Sequence, residues 1–140
     1  MKEVAVDASV WIAGQDAADP FCATSRLFFS HTLAAGTLIH VPAFAHLEVA
    51  CALARKLRNS SQGERLATLI FKSAGAREQP VNAALLAKSL SLGTTKFLRG
   101  ADALYAATAE IRGCGLVSWD KEHLKRAEAM SPDDWLIANP

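Results

Sequence analysis

Four carboxylates are the chemically expressive residues of this chain: Asp7, Glu48, Asp102 and Asp120, spread over 140 residues. Carboxylates brought together by a fold repel one another, and some take up protons unless a divalent cation holds them. Oxygen ligands without histidine or thiolate partners favour Mg²⁺ or Mn²⁺ over zinc. Such ions activate water and neutralise charge developing on a phosphoryl group. Taken singly, three of the acids have a plainer reading. Asp7 follows Val4-Ala5-Val6, and Asp120 precedes Lys121-Glu122-His123-Leu124, so each suits the N-cap of a helix. Asp102 falls in the first turn after Gly100, where the helix dipole favours an anion and Arg99 can pair with it. Glu48 is different. Its neighbours three and four residues away are Ala45, Cys51, Phe44 and Ala52, so no cation of its own helix reaches it. A carboxylate on an apolar side is costly unless a remote arginine or a metal compensates it, and the metal is the preferred reading.

The elements that must position these acids follow from pattern. Residues 3–6 form a β-type run ending at Asp7, and Ala8-Ser9-Val10-Trp11-Ile12 can begin a helix. Residues 20–35 suit a helix with Pro20 in its first turn, Phe21, Leu27, Phe28 and Leu33 on its buried side, and Gly36 at its end. A strand over 38–41 precedes a helix opened by Pro42 and running to about Leu57, with Phe44, Leu47, Cys51 and Leu53 or Ala54 inward. Further helices are predicted over 61–73, Val81–Leu92, Gly100–Arg112 and Asp120–Met130, with a weak strand near 76–80 and another over 116–119. The tail from Ser131 to Ile137 is expected to add a last short strand. Strands separated by helices imply crossover connections, hence a three-layer α/β/α fold with a small parallel sheet flanked by helices. In such sheets the functional crevice lies beyond the carboxyl ends of the strands, where Asp7 and Asp120 fall.

Four segments then resemble the acidic blocks of PIN domains: Val4–Ile12 around Asp7, Val41–Leu53 around Glu48, Arg99–Ala107 around Asp102, and Leu116–Leu124 around Asp120. They look most like VapC-type toxins of bacterial type II toxin–antitoxin pairs, and the resemblance covers nearly the whole chain. It implies one PIN-like nuclease domain over 1–140 that cleaves RNA with Mg²⁺ or Mn²⁺. It implies that Asp7, Glu48, Asp102 and Asp120 serve as catalytic and metal-holding acids. Ser118 takes the hydroxyl place before the last acid, and Ser9 the small polar place after the first. A small VapB-like antitoxin and a homodimer are the partners it suggests, besides RNA.

Composition sets the other bounds. With 51% hydrophobic and 21% charged residues the chain reads as a globular domain. The net charge of +1 decides nothing, because an acidic cluster and basic rims cancel in the sum. Three cysteines, Cys22, Cys51 and Cys114, form no metal or redox pair, and Cys51 reads as a small core residue. Charges at Lys2, Glu3 and Asp7 interrupt any signal-peptide apolar region, and no run is long enough to span a membrane, so a cytoplasmic protein is expected. Lys96 and Arg99, just before the Asp102 turn, are the cations best placed for RNA phosphates. Arg55, Lys56 and Arg58, and likewise Lys121, Lys125 and Arg126, read as complements to helix dipoles on solvated faces. His31, His40, His46 and His123 show no ligand spacing and read as structural. Two other functions fit less well. Phosphoryl transfer to Asp7 would want a second acid two residues on, where Ser9 stands. A non-catalytic RNA- or protein-binding module would have no need of all four acids.

Overall fold

The computed structural model describes residues 2–140. The chain folds in the order β1 (Glu3–Val6), α1 (Ala8–Ala13), α2 (Cys22–Ala35), β2 (Leu38–Pro42), α3 (Phe44–Leu57) and α4 (Ser60–Ser73). There follow β3 (Arg77–Gln79), α5 (Ala83–Lys96), α6 (Gly100–Arg112), β4 (Gly115–Val117), α7 (Lys121–Arg126) and α8 (Pro132–Ala138). The four strands make one parallel sheet in the order β3-β2-β1-β4. Glu3 lies opposite Leu38, Val4 opposite Gly115, and His40 opposite Arg77. Val4, Ala5 and Val6 are fully buried, as a central parallel strand covered on both faces must be.

Helices flank the sheet. α6 lies across β2, β1 and β4 and is backed by α5. α3 packs on β2 and pairs closely with α4, while α1 touches α2 and α3, and α8 packs on α2. The core between sheet and helices is built from Trp11, Phe28, Ile39, Val49, Leu53, Phe71, Tyr105 and Trp135. The α3–α4 contact depends on Gly63, where a Cβ would come within 2.6 Å of Ala54.

The structure corrects several expectations. Pro42 does not open α3. It pairs with Gln79 at the end of β2, and Ala43 N–H extends that pairing by donating to the Gln79 carbonyl at 2.8 Å, so the helix starts at Phe44. α5 begins later and runs further than expected, capped at its start by Asn82, whose side chain accepts from Leu85 N–H at 3.0 Å. α7 ends at Arg126, because Glu128 takes a left-handed conformation (φ 54°) and Met130 bonds alongside β4. The tail is a helix, not a strand. Ser131 caps it by accepting from Asp134 N–H, Pro132 sits in its first turn, and Asp133 and Asp134 favour its positive end. The inward faces of α2 and α3 are also not those expected. Phe21, Leu27, Leu33, Leu47 and Cys51 are exposed, while Ala45, Val49 and Leu53 carry the burial of α3. Among the described residues no helix is long and apolar enough to cross a membrane.

Candidate active site

β1 delivers Asp7 to the carboxyl end of the central strand, where Asp7 N–H bonds to the Val117 carbonyl of β4 at 3.0 Å. Asp7 is only 5% exposed. Its Oδ2 accepts from Ser9 Oγ at 2.7 Å, from Ser118 Oγ at 2.9 Å and from Ser9 N–H at 3.3 Å. The helix-capping role and a place in an acidic centre therefore coexist in one side chain. Ser118 also accepts from Asp120 N–H at 2.9 Å, and Ser9 Oγ accepts from Trp119 N–H at 3.0 Å. The two serines thus stitch the end of β1 to the end of β4. The Trp119 ring points away from the acids: its indole N–H donates to Ser25 Oγ at 2.8 Å and its face stacks on Phe21.

Asp120 caps α7, accepting from Glu122 N–H at 2.7 Å. The short helix then brings His123, fully buried, back over the centre. His123 Nε2 lies 3.3 Å from Asp102 Oδ1 and 3.5 Å from Asp7 Oδ1. Both distances are long for a charge-assisted hydrogen bond, and neither ring nitrogen has an aligned hydrogen-bond partner among the described residues. On the outer side Arg99 spans Asp102 and Asp120, with Nε 3.1 Å from Asp102 Oδ2 and an Nη 3.6 Å from Asp120 Oδ2. Glu48 enters from the second turn of α3, and the remote arginine considered for it is not what meets it. The Tyr105 hydroxyl donates to its Oε1 at 2.5 Å.

The electrostatics follow from this crowding. Burial pushes the Asp7 carboxyl upward, but His123 and the hydroxyls of Ser9 and Ser118 outweigh it and hold Asp7 below the usual range. Burial raises the Glu48 carboxyl, Tyr105 opposes that, and the charges of Asp7 and Asp102 add to the rise. Burial disfavours protonation of His123, yet Asp7 and Asp102 overcome it and raise the imidazole above its ordinary value.

The structure therefore brings together Asp7, Glu48, Asp102 and Asp120, with Ser9 and Ser118 beneath them and Arg99 at their rim. Lys96 is not with them. It lines a separate cavity with Cys114 and Gly115, at the amino end of β4. His123 and Tyr105 were missed by sequence reasoning, though a signal existed. Each stands three residues after an acid on the same helix, Tyr105 after Asp102 and His123 after Asp120, and so faces the same way.

Among the described residues no three acidic, histidine or cysteine side chains close on one point as a finished ligand set. The acids are held in pairs by cationic groups instead, with His123 between Asp7 and Asp102, and Arg99 between Asp102 and Asp120. The donor chemistry still fits a hard divalent ion. It offers carboxylate oxygens around a buried imidazole that lacks an aligned hydrogen bond.

This architecture belongs to a known class: the chain is a member of the PIN-domain family, whose model matches residues 4–129. Its fold is similar to that of PAE2754 from Pyrobaculum aerophilum, at 19% identity and a TM-score of 0.69, covering 98% of this chain and 94% of that one. It is similar to VapC20 of Mycobacterium tuberculosis, a sarcin–ricin loop cleaving toxin, at 19% identity and a TM-score of 0.69 over 84% and 89% of the two chains. VapBC2 from Rickettsia felis, solved with a DNA fragment from its promoter, gives 10% identity and a TM-score of 0.71 over 92% and 96%. No curated protein sequence matches the chain.

Proposed function

We propose that this chain is a Mg²⁺- or Mn²⁺-dependent endoribonuclease and the toxin of a type II toxin–antitoxin pair, acting as a single nuclease domain. The observation that carries this reading is the meeting of four acids, from the end of β1, α3, α6 and the start of α7, at the carboxyl end of a parallel sheet. Membership of the PIN family supports the nuclease class. The likeness to VapC20 and VapBC2 supports the toxin role and a small VapB-like antitoxin as partner.

Asp7, Asp102 and Asp120 would hold the metal, with Glu48 completing the set. The ion would supply charge neutralisation at the phosphoryl oxygens and a more acidic water. The chain's own residues do the rest. Ser9 and Ser118 fix the Asp7 carboxylate by three hydrogen bonds, so that Oδ1 alone faces the centre. Tyr105 fixes Glu48, whose upward-shifted carboxyl suits it to take the proton from the attacking water. Arg99, exposed at the rim, is the cation placed to meet a phosphate there. Phosphoryl transfer to Asp7 is disfavoured, because a buried carboxylate with three donors on one oxygen is a poor nucleophile.

Digestion of a short single-stranded RNA followed by mass spectrometry of the ends tests this reading. In-line attack by water should leave a 5′-phosphate and a free 3′-hydroxyl. Activity should vanish with EDTA and in Asp7→Asn protein purified in parallel. Cyclic phosphate ends that persist in EDTA would overturn it. Sedimentation tests the homodimer, and co-purification of the product of a directly adjoining gene tests the antitoxin.

A further inference from the structure

A groove of about 810 Å³ lies along α3 beyond Glu48, apart from the four acids. It is lined by Ile12 at the end of α1, by Ala52, Arg55 and Lys56 on α3, and by Arg58 and Ser60 where α3 passes into α4. Glu48, Ala52 and Arg55 are spaced by four and then three residues, so they share one stripe of α3. At a rise of about 1.5 Å per residue, Arg55 lies roughly 10 Å along the helix axis from Glu48. Ala52 between them carries only a methyl group and leaves the floor open. α1 leads from Asp7 at its N-cap to Ile12 at the groove wall. Two helices that present catalytic carboxylates at their starts thus bound a cationic channel at their ends.

All the charged residues lining the groove are cations. Lys56 is tied to Asp16 at 2.7 Å. Arg55 and Arg58 are exposed, and neither has an ion pair among the described residues. Arg58 also holds a left-handed backbone, φ 53°, at the C-cap of α3. That conformation costs an ordinary L-residue about 1–2 kcal/mol and is the usual place of Gly or Asn. An arginine in that position spends stability to put its charge at the groove mouth.

We infer that this groove binds the phosphate backbone of the single-stranded RNA on one side of the cleavage point, through Arg55 and Arg58. The inference rests on the nuclease reading above and adds the path of the substrate. The acidic centre repels a polyanion, so the strand must be held by cations beyond it, and these two lie at the right remove to grip neighbouring phosphates and leave the scissile one free. Arg55 and Lys56 also lie in the last turn of α3, where they complement the helix dipole as expected.

The test is affinity for a short fluorescein-labelled single-stranded RNA, measured by anisotropy over a range of salt in a Glu48→Gln background that prevents cleavage. Arg55→Ala combined with Arg58→Asn, which keeps a residue tolerant of the left-handed backbone, should weaken binding at least about tenfold at low salt. The slope of log K against log salt should become shallower by about 1.4, the value for two lost phosphate contacts on a single strand. Arg65→Ala and Arg77→Ala, outside the groove, should change neither. If the double variant binds like its parent with an unchanged slope, the groove assignment is wrong while the nuclease reading stands. If the parent binds no RNA and the wild type cuts none, both readings fall.

Discussion

Tyr105 donates its hydroxyl hydrogen to Glu48 across the acidic centre, joining α6 to α3 over a separation of 57 residues. Tyr105 is the only tyrosine of the chain and is almost fully buried, with its ring edge-to-face against His123. One side chain thus supports an acid from one helix and packs under the imidazole of another. The acids are placed less by their own helices than by this inner layer of Tyr105, His123, Ser9 and Ser118.

Tyr105→Phe isolates that role. It keeps the packing and removes the donor, leaving a half-buried carboxylate short of a partner at a cost of about 1–3 kcal/mol. The tyrosine hydroxyl favours ionised Glu48, so its loss should raise the already elevated Glu48 carboxyl further. The acid limb of the RNA-cleavage pH profile should move to higher pH, with a lower rate at neutrality. An unmoved limb with normal stability would remove Glu48 from the role of proton acceptor.

His123 predicts the pH dependence of the metal-free protein. Its folded-state value is raised above 6.5, so its contribution to stability is fully present below that pH and is lost as pH rises through the folded value. Asp7, held low, has the opposite sign, and its contribution is lost only as pH falls well below 3.8. Glu48 has the sign of His123, but its window opens near 4.5. Melting temperatures in EDTA should therefore fall as pH rises from about 6.5 through the raised His123 value, and His123→Gln should flatten that fall. An equally steep fall in the variant would assign the dependence elsewhere.

Mg²⁺ or Mn²⁺ should stabilise the fold, because an ion bound only to the native state adds RT ln(1 + [L]/Kd), about 2.7 kcal/mol at a hundredfold excess over Kd. Asp7→Asn should reduce the rise in melting temperature, and Asp133→Asn, on α8, should not. Equal responses in the two variants would place the ion elsewhere.

Gly63→Ala tests the α3–α4 pairing that carries Glu48. The added Cβ would lie 2.6 Å from the backbone nitrogen of Ala54 and 2.7 Å from the Ala50 carbonyl, so helix backbone, not a flexible side chain, must give way. A loss of about 1–3 kcal/mol is expected by denaturant unfolding.

The sheet and the four acids were legible in the sequence because both depend on local pattern. Apolar runs such as Val4-Ala5-Val6 mark buried strands, and an acid directly after a strand marks its carboxyl end. The faces of α2 and α3 were not legible. Leu27 and Leu33 on α2 and Leu47 on α3 face solvent although their size suggests burial, and on α3 the close contact with α4 selects small neighbours such as Gly63. The tail carried a readable helix start, Ser131-Pro132-Asp133-Asp134, that strand-like Trp135-Leu136-Ile137 overrode. His123 offered only its three-residue spacing from Asp120, and the break of α7 after Arg126 fixes how that short helix lies over the centre.

Arg99 separates two roles that a single variant can distinguish. Its guanidinium bridges Asp102 and Asp120 while 74% of its side chain stays exposed, so it is a solvent-screened cation standing where positive charge is wanted. As a counter-ion it competes with a divalent metal for the same carboxylates. As a rim cation it attracts the phosphate that those carboxylates repel. Arg99→Ala should therefore tighten Mn²⁺ binding, measured by calorimetry on the RNA-free protein, and lower the melting temperature slightly in EDTA. The same variant should weaken RNA binding in the Glu48→Gln background and reduce its salt dependence by about 0.7, one phosphate contact on a single strand. Metal affinity and RNA affinity should move in opposite directions. Weaker Mn²⁺ binding in Arg99→Ala would show that the arginine organises the acids for the ion, and the competition argument would fall.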